Sequence, residues 1–409
     1  MHSEINTDQK HQHAADLARK HIDFLAASIG ARPSCRPQER QAAEYTADQL
    51  TQYGFEQVSM EPFRGSPSSY ARYMVALILP GISAVVLGLS PADSAAYLLI
   101  ITSLLGAMAI LQESDFRWNW TRLLIPSLRS VNVTAQIPAA DQQVRDIILT
   151  AHLDTHRTPW FNASRIGQRL FRSAFRWALI VLAICLIAGI ALLITDMASI
   201  RWPALICGGL LVMLGLVFLQ ADFTPFSPGA YDNASGVGSL LALGKRLIHN
   251  PLENCKAWLV FTGCEETGSA GMQAFLDRHF DSFRQPLIIN LDQMGSDVLY
   301  ARTCEGFIVR RCVDVQSLRL ASHAAARAGV TLIQRQSQAF SDAAIALQRG
   351  MPAISLGTQP GSPDDITHRH RSSDLPKHID SNGLIATQKF ISALLELIDT
   401  QSTESASDD

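Results

Sequence analysis

Four apolar stretches set the terms on which this chain can fold: YMVALILPGISAVVLGLS at 73–90, SAAYLLIITSLLGAMAILQ at 94–112, AFRWALIVLAICLIAGIALLIT at 174–195 and PALICGGLLVMLGLVFLQA at 203–221. Each is close to the roughly 20 apolar residues that an α-helix needs to cross a bilayer, and Arg176, near an end, is the one charge among them. They lift the mean hydropathy of the 409 residues to +0.11, high for a chain that lives wholly in water. Only PAD separates the first two and only DMASIRW the last two, so they pair as helical hairpins. Helices buried in a large soluble core are the competing reading, and two close pairs of such runs weigh against it.

Arginines orient the hairpins. The tips carry only Arg201, whereas the open ends carry Arg64, Arg72, Arg117, Arg122 and Arg129, then Arg165, Arg169, Arg172 and Arg176. The excess of positive charge on the cytoplasmic side of membrane proteins predicts a multi-pass protein of the inner membrane, its polar bulk facing the cytoplasm. The segment SRIGQRLFRSAFRW spaces its arginines by four, three and four, a basic helical stripe suited to the headgroup layer or to an ordinary solvated face. Trp118 and Trp120 suit a membrane interface. A polar N-terminus, with no apolar run of its own, gives no sign of a cleavable signal peptide.

With the hairpins at 73–112 and 174–221 set aside, segments 1–72, 113–173 and 222–398 read as one interrupted domain, and the polar stretch 399–409 reads as a disordered tail. Apolar runs such as SVNVTAQIP, DIILTAHLD, KAWLVFTGC and PLIINLDQM alternate with amphipathic segments such as GVGSLLALGKRLIH. That alternation predicts an α/β three-layer sandwich around a mixed, mostly parallel sheet. A net charge of −3 offers no basic surface for nucleic acid. Seven scattered cysteines without a CxxC pair suggest reduced thiols, not a disulfide framework.

Acids and histidines collect where strands end. LVFTGCEETGSAGMQAFL, at 259–276, closes a strand on Glu265 and Glu266 and then turns sharply through glycines. ILTAHLDTH ends another on His152 and Asp154, YDNASGVGSL puts Asp232 before a helix, IINLDQMGS ends a strand on Asp292, and THRHRSSD offers His368 and His370. Singly, each has a bland reading as a helix cap, strand end or solvated loop. Together they form a nitrogen and oxygen donor set of the kind zinc accepts.

In their order along the chain, AHLDT, YDNASGVGSLLALGKRL, FTGCEETGSAGMQAFL, NLDQMGS, FSDAAIALQRGMPAISLG and HRSSD resemble the motif blocks of the zinc aminopeptidase family that also contains glutamate carboxypeptidases and glutaminyl cyclases. The resemblance implies a zinc exopeptidase fold with two Zn2+ ions. It implies that His152 and Asp292 bind one ion, Glu266 and His370 the other, and Asp232 both. It implies that Glu265 is the general base and that Asp154 orients His152. The family's histidine lies four residues before an Asp, which His370 and Asp374 satisfy, with His368 the competitor. Ser341-Asp342 is followed by Ala343 where the family often has histidine, which leaves Asp342 a role in the site wall. The hairpin between His152 and Asp232, and the one before SVNVTAQIP, depart from the family pattern and place HRTPWFNAS between site and membrane.

The function so implied is a membrane-bound aminopeptidase acting on short peptides. A carboxypeptidase, for whose substrate carboxylate Arg310, Arg311, Arg335 and Arg369 are candidates, and a glutaminyl cyclase keep the same fold. A non-catalytic membrane scaffold would be expected to have lost ligands, and a transporter to carry intramembrane charge.

Overall fold

The computed structural model describes residues 7–90, 92–195, 197–362 and 367–407. Its strands are β1 (Val58–Gly65), β2 (Leu128–Ile137), β3 (Arg145–His152), β4 (Cys255–Thr262), β5 (Leu287–Leu291), β6 (Val298–Glu305), β7 (Arg311–Cys312), β8 (Leu332–Gln336) and β9 (Ala353–Gln359). They form one sheet in the order β1-β2-β4-β3-β5-β9-β6-β7, with β8 also paired to β6. The central strands β4, β3, β5 and β9 run parallel, and β1, β2, β6 and β7 join them through antiparallel pairs.

Alternation along the strands divides the core. Ile147, Leu149 and Ala151, with Ala257, Leu259 and Phe261, face the layer built from α1 (Thr7–Asp23), α2 (Pro37–Gln52) and three later helices. Ile148, Trp258 and Val260 point the other way. Four long helices interrupt this domain: α3 (Ala71–Leu89), α4 (Asp93–Ser114), α5 (Arg165–Thr195) and α6 (Arg201–Ala221). The rest are α7 (Ser235–His249), α8 (Ala270–His279), α9 (Val315–Ala328), α10 (Asp342–Gln348) and α11 (Ser381–Ser407). Helices α7, α9 and α11 complete the first layer, while α8 and α10 cover the second face with Met272, Phe275, Leu276 and Ile345. This is the three-layer α/β sandwich that the alternation predicts.

Helices α3 and α4 are inserted between β1 and β2, and α5 and α6 between β3 and α7. All four helices are long and apolar enough to cross a membrane. They pack on one another through small residues: a Cβ built on Gly208 of α6 would lie 2.7 Å from the Gly81 carbonyl oxygen of α3, so the backbones touch where side chains would not fit. Their outer faces stay apolar, with Ile82, Leu104, Ile187 and Met213 each more than half exposed. The basic stripe does not form a separate surface helix. Arg165 to Arg176 are the opening turns of α5 itself, which continues unbroken to Thr195.

Two further expectations meet a different outcome. Cys304 and Cys312 form a disulfide, because the antiparallel register of β6 and β7 sets them directly opposite; a separation of 8 residues does not reveal that pairing in the sequence. The polar tail from 399 is helical as far as Ser407, with Ser402 buried beside the Cys255 thiol. Its final two residues lie outside the described ones.

Candidate metal centre

Parallel strands β3, β4 and β5 deliver their carboxyl ends to one edge of the sheet, where open α/β folds keep their ligands. His152 is the last residue of β3, Glu265 and Glu266 follow β4, and Asp292 follows β5. Asp232 comes from the loop before α7. That loop approaches the end of β3 closely: a Cβ on Gly229, whose φ is +65°, would fall 2.3 Å from the Thr155 side chain. The turn after β4 is equally tight, for a Cβ on Gly271 would meet the Gly263 carbonyl at 2.3 Å.

The side chains converge on Asp232. Its Oδ1 lies 3.2 Å from His152 Nε2, and its Oδ2 lies 3.1 Å from His370 Nε2. Asp292 Oδ1 stands 3.7 Å from His152 Nε2, and Glu266 Oε1 stands 3.3 Å from His370 Nε2. The set therefore has two lobes, His152 with Asp292 and His370 with Glu266, and one carboxylate facing both. Glu265 Oε2 sits 3.9 Å from His152 Nε2, at the edge of the first lobe. His370 joins the cluster and His368 does not: His368 bonds Ser373 Oγ at 2.9 Å and stacks on His378 at 3.8 Å.

Asp154 acts on the glutamates as much as on the histidine. Its Oδ1 accepts the Glu265 amide at 3.0 Å and its Oδ2 accepts the Glu266 amide at 3.1 Å. Ser34 also donates to it at 2.6 Å, while His152 Nδ1 contacts the Asp154 carbonyl at 3.1 Å. Asp374, four residues beyond His370, accepts the backbone amides of Tyr231 and Asp232 at 2.7 and 3.1 Å. It fixes the central carboxylate, not the imidazole. Asp342 accepts from Thr262 at 2.5 Å in the buried wall, and burial raises its carboxyl to about 6.

Several supports carry no motif signal. Buried Arg302 holds Asp292 Oδ2 at 2.5 Å. Arg369 Nε donates to Asp232 Oδ2 at 2.9 Å, which takes it out of the pool of free substrate-binding cations. Arg32 places its guanidinium among the carbonyls of Leu25, Gly30, Leu153, Pro228 and Gly229, tying the first helices to the loop that carries Asp232. His156 stacks on His370 with ring centroids 3.8 Å apart and meets Tyr70 Oη at 3.1 Å. It stands inside AHLDTH, so its nearness to the site was visible in sequence, but nothing there distinguished it from a loop histidine.

Charge in the site is arranged by burial and neighbours. Burial, with Glu266, Asp342 and Asp292 close by, pushes Glu265 well above the ordinary carboxylate range against the pull of His152. Burial also acts on Asp232, but Arg369, His152 and His370 outweigh it and hold that carboxyl well below its usual range. Glu266 Oε1, Asp292 Oδ1 and His370 Nε2 are buried without a hydrogen-bond partner. Such orphaned donor atoms, Asp292 in one lobe and Glu266 and His370 in the other, in a setting of imidazole and carboxylate, fit a divalent metal such as zinc.

A cavity of about 370 Å³ opens beside the centre. Glu265, Glu266 and His370 line one side, and Tyr73, Phe171 and Phe175 from the hairpin helices line another. Phe161 and Asn162, from the segment between β3 and α5, also line it. Phe161 stacks on Phe171 at 4.1 Å, so the wall facing the metal centre is built from the roots of the hairpins.

Residues 220–395 match the model of peptidase family M28. Asp232, Glu265, Glu266, Asp292 and His370 all lie in that stretch. No curated protein matches the chain. Among solved structures, a glutaminyl cyclase from Bacteroides thetaiotaomicron, bound to N-acetylhistamine, is similar at a TM-score of 0.55 and 15% identity, over 93% of this chain and 97% of that one. A leucine aminopeptidase precursor from the same species has a TM-score of 0.54 at 16% identity, over 93% and 96%. A zinc aminopeptidase from Bacillus subtilis has a TM-score of 0.55 at 13% identity, over 93% and 94%. These likenesses show the zinc exopeptidase fold, and the family match over the donor residues supports a zinc-dependent peptidase.

Proposed function

We propose that this chain is a membrane-bound aminopeptidase with two zinc ions, removing N-terminal residues from short peptides. The observation that carries the reading is Asp232, one oxygen turned to His152 and the other to His370, with a further carboxylate beside each imidazole. His152 and Asp292 would hold one ion, His370 and Glu266 the other, and Asp232 would reach both. Zinc supplies the polarisation of the scissile carbonyl and of the attacking water.

The chain's own groups do the rest. Glu265, its amide fixed by Asp154, takes the proton of the attacking water and returns it to the leaving amine. Asp154 and Asp374 position the backbone under Glu265, Glu266 and Asp232. Aromatic side chains from α3 and α5 exclude water from the far wall of the cavity.

The decisive experiment measures metal content of detergent-purified protein together with hydrolysis of free-amine and N-blocked peptides. About two ions per chain and cleavage confined to free-amine substrates is the expected result. Metal without cleavage of any peptide would shift the reading to an unusual substrate or a cyclase, and no metal at all with no cleavage would leave the scaffold.

The apolar outer faces of α3 to α6 support membrane insertion, with the soluble domain tethered twice on one side. Arginine bias at the open ends puts that side in the cytoplasm. The Cys304–Cys312 disulfide favours the opposite orientation, because such bonds persist in oxidising compartments. A cysteine at Ala92, on a hairpin tip, separates the two: labelling by an impermeant thiol reagent on intact cells is expected, and labelling only after lysis would reverse the topology.

A further inference from the structure

Four arginines gather outside the metal centre around a second, more open cavity of about 440 Å³. Arg169, Arg172 and Arg176 lie on successive turns of α5, and Arg310 reaches them from the connection between β6 and β7, with Gln336 and Gln338 completing the lining. Among the described residues, none of the four forms an ion pair. Arg310 meets Gln336 Oε1 at 2.9 Å, and Arg172 meets the Gln168 carbonyl at 3.2 Å. Arg172 is near enough to Arg169 and Arg369 for their charges to oppose its own. Guanidinium groups held together without carboxylates make a site for a planar oxyanion, which their forked donors match.

This cavity adjoins the one at the metal centre. Arg172, Gln336 and Gln338 line both. Of the other cations considered for a substrate carboxylate, Arg311 is paired with Asp115 at 2.5 Å and Arg369 with Asp232, while the Arg335 guanidinium lies over the Tyr300 ring at 3.6 Å. A ligand whose scissile bond lies at the metal centre and whose chain follows the aromatic wall therefore ends among unpaired arginines.

We propose that Arg169, Arg172, Arg176 and Arg310 are an anion subsite that holds the carboxylate at the substrate's far end, so that the substrates are short peptides with a free C-terminus. The proposal rests on the peptidase reading above. The same arginines offer their donors to a lipid phosphate, since α5 passes from them into its apolar span, and the test separates the two sources of oxyanion.

The test compares peptides of two to five residues with their C-terminal amides, in bilayers of phosphatidylcholine alone or with phosphatidylglycerol. A charge-assisted contact worth about 1.5–3 kcal/mol corresponds to a KM lower by roughly 10- to 100-fold for the acid than for the amide, at similar kcat. Arg172→Gln with Arg310→Gln should bring that ratio close to one. Arg310→Gln alone, on the soluble side of the fold, should lower it several-fold and guards against damage to α5. Equal KM for acid and amide in the wild type would overturn the proposal. So would an unchanged ratio in variants that lose their response to phosphatidylglycerol, which would assign the arginines to lipid. Failure of metal-loaded wild type to cleave either peptide would instead overturn the peptidase reading and this subsite with it.

Discussion

Glu265→Gln is expected to keep the metal content of the wild type and to lower kcat by about 10²- to 10⁴-fold, the range over which a positioned general base contributes. The substitution is isosteric, so the cavity and the amide bond from the Glu265 nitrogen to Asp154 survive it. What it removes is the ability to take a proton. Glu266, the neighbouring carboxylate, stands 3.3 Å from His370 and is read as a ligand, not a base. The measurement is metal analysis beside single-turnover hydrolysis on the same preparation. An opposite pairing, metal lost in step with activity, would mean that Glu265 is a ligand; its 3.9 Å approach to His152 makes that a concrete alternative.

Local pattern and non-local register account for what could be read before any coordinates. Apolar runs of bilayer length and alternating β3 and β4 residues carry their own period, so hairpins and central strands were legible. Acids at strand ends were legible because a parallel sheet brings its carboxyl ends together wherever the strands fall in sequence. The partner of each acid was not. Arg302 reaches Asp292 only because β6 pairs with β9, and Cys304 faces Cys312 only through the β6–β7 register. Asp374 is a like case: it stands four residues beyond His370 in sequence, yet the folded chain presents it to the backbone of Asp232, 142 residues away. The root of α5 was read as a stripe on one helix, and its meaning changed once Arg310 met it from a distant loop.

Asp232→Asn is expected to cost more metal than loss of any other donor, because one of its oxygens faces each imidazole. A carboxamide keeps an oxygen for one imidazole-side position but turns a neutral NH2 toward the other, so one lobe loses a donor outright and both lose the shared negative charge. Occupancy should fall from about two ions per chain to one or fewer, with hydrolysis reduced at least as far as in Glu265→Gln. Arg369 can still donate to the amide oxygen, which argues that the loop itself survives; thermal melting of the metal-free proteins should therefore differ little. The two histidines of the late loop calibrate the result. His370→Ala removes the donor opposite Asp232 Oδ2 and Glu266 Oε1 and should release one ion, whereas His368→Ala breaks only its contacts with Ser373 and His378. Retention of both ions in Asp232→Asn would show that the lobes bind independently. A central carboxylate that can be neutralised without loss of metal would be a structural tie between two single sites, and the proton transfer assigned to Glu265 would then have to serve one lobe alone.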